Sequence, residues 1–365
     1  MNLIGYIEKY GDLSFKEKEI NNIDYLVFGL LSYLDFDGIV SNNSKDKITI
    51  GYACHLYFSK YNESYFRKQG IGIRSSIKLM KKIQYTERYC NLEFYNYRYV
   101  CSRDIQFSAL TIDVSDDLKV ISYEGTDDLV AGWKEDFRMS YEFPVTAQKL
   151  AIKYANDTIS VFDKSKYVFC GHSKGGNLSL VAGMYLNPLK KRHLKHIYSF
   201  DGPGIMFKML NSSRYKSILN RYEHIVPNSS VFGLLFYDLK YTVVKSNQVG
   251  VLSHDAYTWQ IKDDDFLYTT MKTGSKAFYK SFNDWVSKYN LKERKNFTEQ
   301  IFMVFEKCHI LSISSFKERK MEYILDVIGE IKNMDDEAKG MMIEFIKMML
   351  TESKNMLIDK VIGKE

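Results

Sequence analysis

Proline is scarce in this chain, with 4 among 365 residues. Lys, Asn and Ile are abundant in its place, which reads as compositional drift without chemical meaning. Cysteine is also sparse. Cys54, Cys90, Cys101, Cys170 and Cys308 are odd in number and scattered, with no C-x-x-C pair and no metal-ligand spacing. That argues against a disulfide framework and a cysteine-built metal site, and it fits a reducing compartment. No long basic block occurs. The 51 Lys and Arg are interspersed with 45 Asp and Glu, for a net charge of +6, so a nucleic-acid partner is not expected. The apolar run from Tyr25 to Leu34 is too short to span a bilayer. The N-terminal segment, MNLIGYIEKYGDLSF, lacks the basic-then-apolar order of a signal peptide. Internal repeats and low-complexity segments are missing as well. A cytoplasmic protein with no integral membrane segment is the expectation.

What is present is a composition of ordinary soluble usage, 45% hydrophobic and 26% charged, long enough for one large domain or two ordinary ones. Helices are expected around Ile23–Leu34 and Ser75–Tyr85. Alternation of polar with aromatic and β-branched residues from Asn91 to Val114 reads as strand. A hairpin follows, Phe107–Val114 turning at Ser115-Asp116-Asp117 into Lys119–Glu124. Strands and helices then alternate: helix Thr146–Asp163, strand Lys166–Cys170, helix Asn177–Leu186, strand His196–Phe200, a mostly helical Ile205–Arg221, and strand Tyr241–Lys245. This order predicts an α/β fold, a mostly parallel sheet covered by helices. Strands are expected to stop near Trp259. Residues 275–360 read as three or four amphipathic helices. The chain therefore divides into residues 1–270, carrying the sheet, and a helical extension, 271–365. The extension is expected to pack on the sheet domain, to form a lid, or to make a homodimer interface.

One stretch carries chemistry. In KYVFCGHSKGGNLSLVAGMYL (166–186), Gly171-His172-Ser173-Lys174-Gly175 fits G-x-S-x-G between a strand and a helix. Such a turn forces the serine into strained backbone geometry, so residues two positions away must be small. It lifts the hydroxyl clear of the sheet, and the helix that follows aims free N–H groups at the same point. A glycine-rich anion-binding turn is the plainer alternative. The order is not that of a P-loop, and a serine mechanism needs no metal or organic cofactor.

A serine nucleophile needs a base, and the base an orienting acid, in the chain order Ser, acid, His. Among His193, His196, His224, His254 and His309, His254 in VLSHDAYTW follows the last expected strand and precedes the helices, where the base belongs. Asp201 in IYSFDGPG follows an apolar strand and would sit at the carboxyl edge beside Ser173. Glu223, Asp238 and Asp255 are its rivals, and a turn-capping aspartate is its plainer reading. Oxyanion donors would be the backbone N–H of Lys174 and that of Thr126, the latter with its hydroxyl as an added candidate, in Glu124-Gly125-Thr126-Asp127.

The segment VISYEGTDDLVAGWKEDF resembles the F-R-G-T…D-W…D segment of class 3, fungal-type lipases, and GHSKGGN resembles their G-H-S-L-G-G elbow. More closely, GDLSF, LSYLDFDGIV, EGTDD, GHSKGGNL, FDGPG, VPNSSVFGLL and SHDAYTW are similar to the Mbeg-like family of bacterial α/β-hydrolase proteins. The resemblance covers about residues 1–260. It implies an α/β-hydrolase fold, a Ser-Asp-His triad and ester hydrolysis, and it brings no substrate with it. Class 3 lipases carry the triad aspartate in a D-I-V-P segment, where this chain has RYEHIVP with His224 in that place. Pancreatic-type lipases carry theirs one strand earlier, in a context similar to FDGPG, which favours Asp201. The expected function is a serine hydrolase acting on a carboxylic ester of a lipid or other acyl compound. Thioester or peptide cleavage, or a catalytically inactive binding module on the same fold, stay open.

Overall fold

The computed structural model describes residues 1–127, 130–310, 312 and 320–362. Helices α1 (Leu3–Tyr10), α2 (Asn22–Leu31), α3 (Ile50–Lys60), α4 (Glu63–Lys68) and α5 (Ile71–Ile83) precede most of the sheet, with the short strand β1 (Ile48–Thr49) among them. Then come β2 (Glu93–Cys101), β3 (Gln106–Ser115) and β4 (Leu118–Tyr123), followed by α6 (Val130–Arg138) and α7 (Thr146–Thr158). The central run is β5 (Lys166–His172), α8 (Lys174–Tyr185), β6 (Leu194–Phe200), α9 (Ser213–Lys216), β7 (Tyr222–Pro227) and β8 (Thr242–Val244). A small hairpin, β9 (Ile261–Lys262) and β10 (Asp265–Phe266), leads to α10 (Thr273–Lys288), α11 (Leu291–Lys307), α12 (Lys320–Ile331) and α13 (Asp336–Ile362).

Strands β1 to β8 form one sheet in chain order. Neighbours from β1 to β4 are antiparallel, and from β4 to β8 parallel. The sheet steps one way from β4 to β8, so right-handed crossovers all fall on one face. The other face needs a separate cover. Two cores follow. Phe169, Tyr167, Ile121 and Ile197 point to α7 and α8. Val168, Cys170, Val120 and Phe200 point to the N-terminal helices. This is a mostly parallel, helix-flanked sheet, the architecture expected of an α/β-hydrolase fold. The helices after residue 270 share a third core with Met139, Val145, Val231 and Phe236 of the sheet-bearing part.

Three local expectations change. Ile205–Arg221 holds only the single turn of α9 and flanking 3₁₀ turns, because Ile205 exchanges both backbone hydrogen bonds with Tyr237, 2.9 and 3.0 Å, and is held extended. Residues Tyr222–Pro227 form β7, whose Glu and His mask its apolar character. Strands also continue beyond Trp259, as the β9–β10 hairpin.

The N-terminal cover is pinned by one buried ion pair. Asp24 sits in the capping box of α2 with Asn21. Its carboxylate accepts from Arg88 Nε at 2.8 Å and Nη2 at 2.6 Å, and from the Tyr89 hydroxyl at 2.6 Å. Arg88 also donates to the carbonyls of Leu13, Lys18 and Glu19, closing the loop between α1 and α2. Both side chains are fully buried. Removing one partner leaves an uncompensated charge. Arg88→Ala is therefore expected to lower stability by about 3–5 kcal/mol in urea unfolding. A loss under about 1 kcal/mol, the range of exposed pairs, would contradict this role.

Candidate active site

Strand β5 ends at His172, helix α8 begins at Lys174, and Ser173 lies between them at φ 58°, ψ −132°. A non-glycine residue at positive φ is strained and is kept only where the surroundings impose it. Here they do. A Cβ on Gly171 would stand 2.3 Å from the carbonyl carbon of Gly175, and one on Gly175 would stand 2.1 Å from the Tyr123 carbonyl oxygen. The Ser173 N–H donates to the Phe200 carbonyl at 2.9 Å, tying the turn to the end of β6.

The next residue after β6 is Asp201, also at positive φ, 50°. Its N–H donates to the Ile225 carbonyl of β7 at 2.7 Å. The loop that follows is clamped from α8, where Asn177 Nδ2 donates to the Pro203 and Gly204 carbonyls at 3.0 and 2.9 Å. Asp201 is fully buried. Its Oδ1 accepts from the Ser230 hydroxyl at 2.5 Å and the Gly233 N–H at 3.1 Å. Its Oδ2 lies 2.6 Å from His254 Nδ1. The histidine stands in a 3₁₀ turn, Gly250–His254, beyond β8. With Nδ1–H donated to Asp201, a neutral His254 carries its lone pair on Nε2. The structure thus brings Asp201 and His254 into contact at the sheet edge where Ser173 turns.

His172 supports this arrangement from the position before the serine. Its ring centroid is 4.5 Å from that of His254. Its Nε2 is 2.8 Å from the His254 carbonyl oxygen, and its Nδ1 is 3.0 Å from the Tyr33 hydroxyl. Burial, reinforced by the neighbouring His254 charge, pushes its pKa down to about 3. A neutral ring facing a carbonyl must carry its proton on Nε2, so Nδ1 accepts from Tyr33. His172 thereby ties the His254 backbone to the strand that presents Ser173.

Lys174 opens α8, so its backbone N–H has no intrahelical acceptor. Its side chain turns inward, is fully buried, and donates to the Gln106 side-chain oxygen at 2.6 Å, with Glu135 3.6 Å away. The Thr126 hydroxyl donates to Asp136 Oδ2 at 2.5 Å. That commitment leaves Thr126 only its backbone N–H as a further donor. The other Asp136 oxygen is shut from solvent without a partner, and burial raises this carboxyl to about 6.

The rival groups are engaged elsewhere. His224 Nδ1 lies 2.9 Å from Asp238, which accepts from the Tyr215 and Tyr222 hydroxyls at 2.6 and 2.7 Å. Glu223 lies 3.4 Å from His196. Asp255 caps the next turn through the Tyr257 N–H at 3.1 Å. His193 contacts the Val161 carbonyl at 3.2 Å, and His309 follows α11 at positive φ. Among the described residues no cluster of His, Cys, Asp or Glu could hold a metal ion, and no helix is long and apolar enough to cross a membrane.

Ser173 and Lys174 open onto a cavity of about 320 Å³ whose walls are almost wholly apolar. Trp133 and Phe137 come from α6, Phe278 and Trp285 from α10, and Phe345 from α13. Phe232 separates it from the His254 side, its ring 4.3 Å from the imidazole. Sequence reading missed His172, Tyr33, the inward side chain of Lys174 and Asp136. The last lies within the WKEDF text next to EGT, but its pairing with Thr126 depends on the fold of α6.

Because folding raises the Asp136 pKa, its stabilising effect is complete below about pH 4 and fades as pH rises through about 6. Asp136→Asn keeps an acceptor for Thr126 and removes the charge. Relative to wild type, this variant should gain stability between pH 4.5 and pH 8 in urea unfolding. An unchanged difference at the two pH values would mean an ordinary carboxylate.

The profile of the Mbeg1-like family matches residues 83–303. No curated protein matches the chain. Among solved structures, the crystal structure of M37 lipase is similar at 15% identity, over 57% of this chain and 68% of that one, with a TM-score of 0.36. The family match spans more than half of the chain, and the protein belongs to the Mbeg1-like family.

Proposed function

We propose that the protein is a serine hydrolase that cleaves a carboxylic ester with an apolar acyl chain. The observation that carries this reading is the strained Ser173 turn, opening on an apolar cavity beside the 2.6 Å His254–Asp201 contact. Ser173 attacks the acyl carbonyl. His254 Nε2 takes the hydroxyl proton, and the Asp201 charge stabilises the imidazolium while holding its tautomer. The backbone N–H groups of Lys174 and Thr126 bind the oxyanion, with Thr126 held in place by Asp136. His254 returns the proton to the leaving alcohol. A water, deprotonated by the same nitrogen, then releases the acid from the acyl-enzyme.

The apolar walls around the serine favour an acyl chain over a peptide backbone, whose amide groups would find few partners there. His172 stays neutral at working pH, so it adds no positive charge that would compete for Asp201.

Hydrolysis of p-nitrophenyl acyl esters tests the reading. Ser173→Ala should lose a thousandfold or more in kcat, and Asp201→Asn roughly ten-thousand-fold near neutral pH, both with the fold intact. His224→Ala should keep most of the activity, as its ring pairs with Asp238 and not with Asp201. Turnover near wild type in Ser173→Ala, purified free of host esterases, would refute the assignment.

A further inference from the structure

A second cavity, about 300 Å³, lies next to the oxyanion strand end, and its lining is unlike the first. Glu124, Asp35 and Asp127 bring carboxylates to it, Tyr97 and Tyr99 bring aromatic rings, and Lys68 brings the one basic group among the described residues that line it. Tyr33 and Asp127 also line the space that holds Thr126, His172 and His254, so the two spaces adjoin.

Glu124 is the telling group. It is 5% exposed, and its Oε2 is buried without a hydrogen-bond partner. Lys174 lies near it, but that ammonium is spent on Gln106 at 2.6 and 2.8 Å. Asp35 is already satisfied, accepting from the Tyr61 hydroxyl at 2.6 Å and the Asp37 N–H at 2.9 Å. A native protein rarely keeps a buried polar atom unpaired without a reason.

We infer that this cavity binds an organic ammonium group, carried by the alcohol half of the ester. Aromatic rings beside carboxylates favour such cations through ring quadrupole and charge together. Burial, with Asp127 and Asp35 adding their charges, drives the Glu124 carboxyl well above its ordinary range, against the opposing pull of Lys174. The empty cavity therefore favours the protonated carboxyl. An arriving cation reverses the balance: the proton leaves Glu124 for solvent, and the carboxylate faces the ammonium. A neutral polyol would not release that proton. The leaving-group role rests on the hydrolase reading, whereas cation binding by itself does not.

The test uses full-length Ser173→Ala, so that nothing is turned over. Choline and its neutral isostere 3,3-dimethyl-1-butanol are titrated calorimetrically in two buffers of different ionisation heat. Choline should bind with proton release and with affinity that rises with pH, and the isostere should bind at least about tenfold more weakly. Glu124→Gln should abolish the proton release. Tyr99→Ala, at a partly exposed position, should weaken choline while leaving the proton release of the bound fraction. Equal binding of the isostere, binding of glycerol in place of choline, or no choline binding would each overturn the inference. Choline binding in a protein whose wild type cleaves no ester would uphold the cation site and sink the leaving-group role.

Discussion

The site depends on one steric constraint, the absence of room for a side chain at Gly171 and Gly175. Because β5, α8 and the end of β4 meet there, the chain can turn only through a strained residue, and Ser173 is that residue. Such strain costs on the order of 1–3 kcal/mol and has to be imposed by the surroundings. Here the Phe200 carbonyl holds the Ser173 N–H, and Asn177 ties the following helix to the loop after Asp201. The hydroxyl and the Asp201 carboxylate are thereby set on the same sheet edge by the same few contacts.

Electrostatics on the two sides of the serine differ. One side is an apolar cavity completed by α10 and α13, so the C-terminal helices contribute to the lining as well as to the third core. Asp136, its carboxyl raised to about 6, lines that cavity as well, whereas Glu124, raised well above its ordinary range, lines the cavity on the other side. Two carboxyl groups, one just after β4 and one on α6, thus do separate work. Asp136 fixes the Thr126 hydroxyl, while Glu124 faces a cavity with an oxygen to spare.

Much of the frame was legible because apolar runs and glycines are local signals. The strand before Ser173 and the helix after it follow from KYVFC and from LSLVAGMYL. Asp201 and His254 could be singled out because each follows an apolar strand. Their contact could not be read, since it depends on how far β6 and the turn after β8 approach. Strand β7 was hidden by Glu223 and His224, which look polar in the chain but stand within a parallel sheet. The Ile205–Arg221 segment has helix-forming residues, yet a pairing with Tyr237 some thirty residues away overrides them. Lys174 reads as a surface lysine, and only the fold of β3 and α6 buries it.

The most direct measurement is covalent labelling of the intact protein by a fluorophosphonate, read by mass spectrometry. Such reagents modify a serine only when a base has activated its hydroxyl. One adduct is expected, on Ser173, absent from Ser173→Ala and strongly slowed in His254→Ala. An unlabelled wild type, or an adduct on another residue that persists in Ser173→Ala, would contradict it.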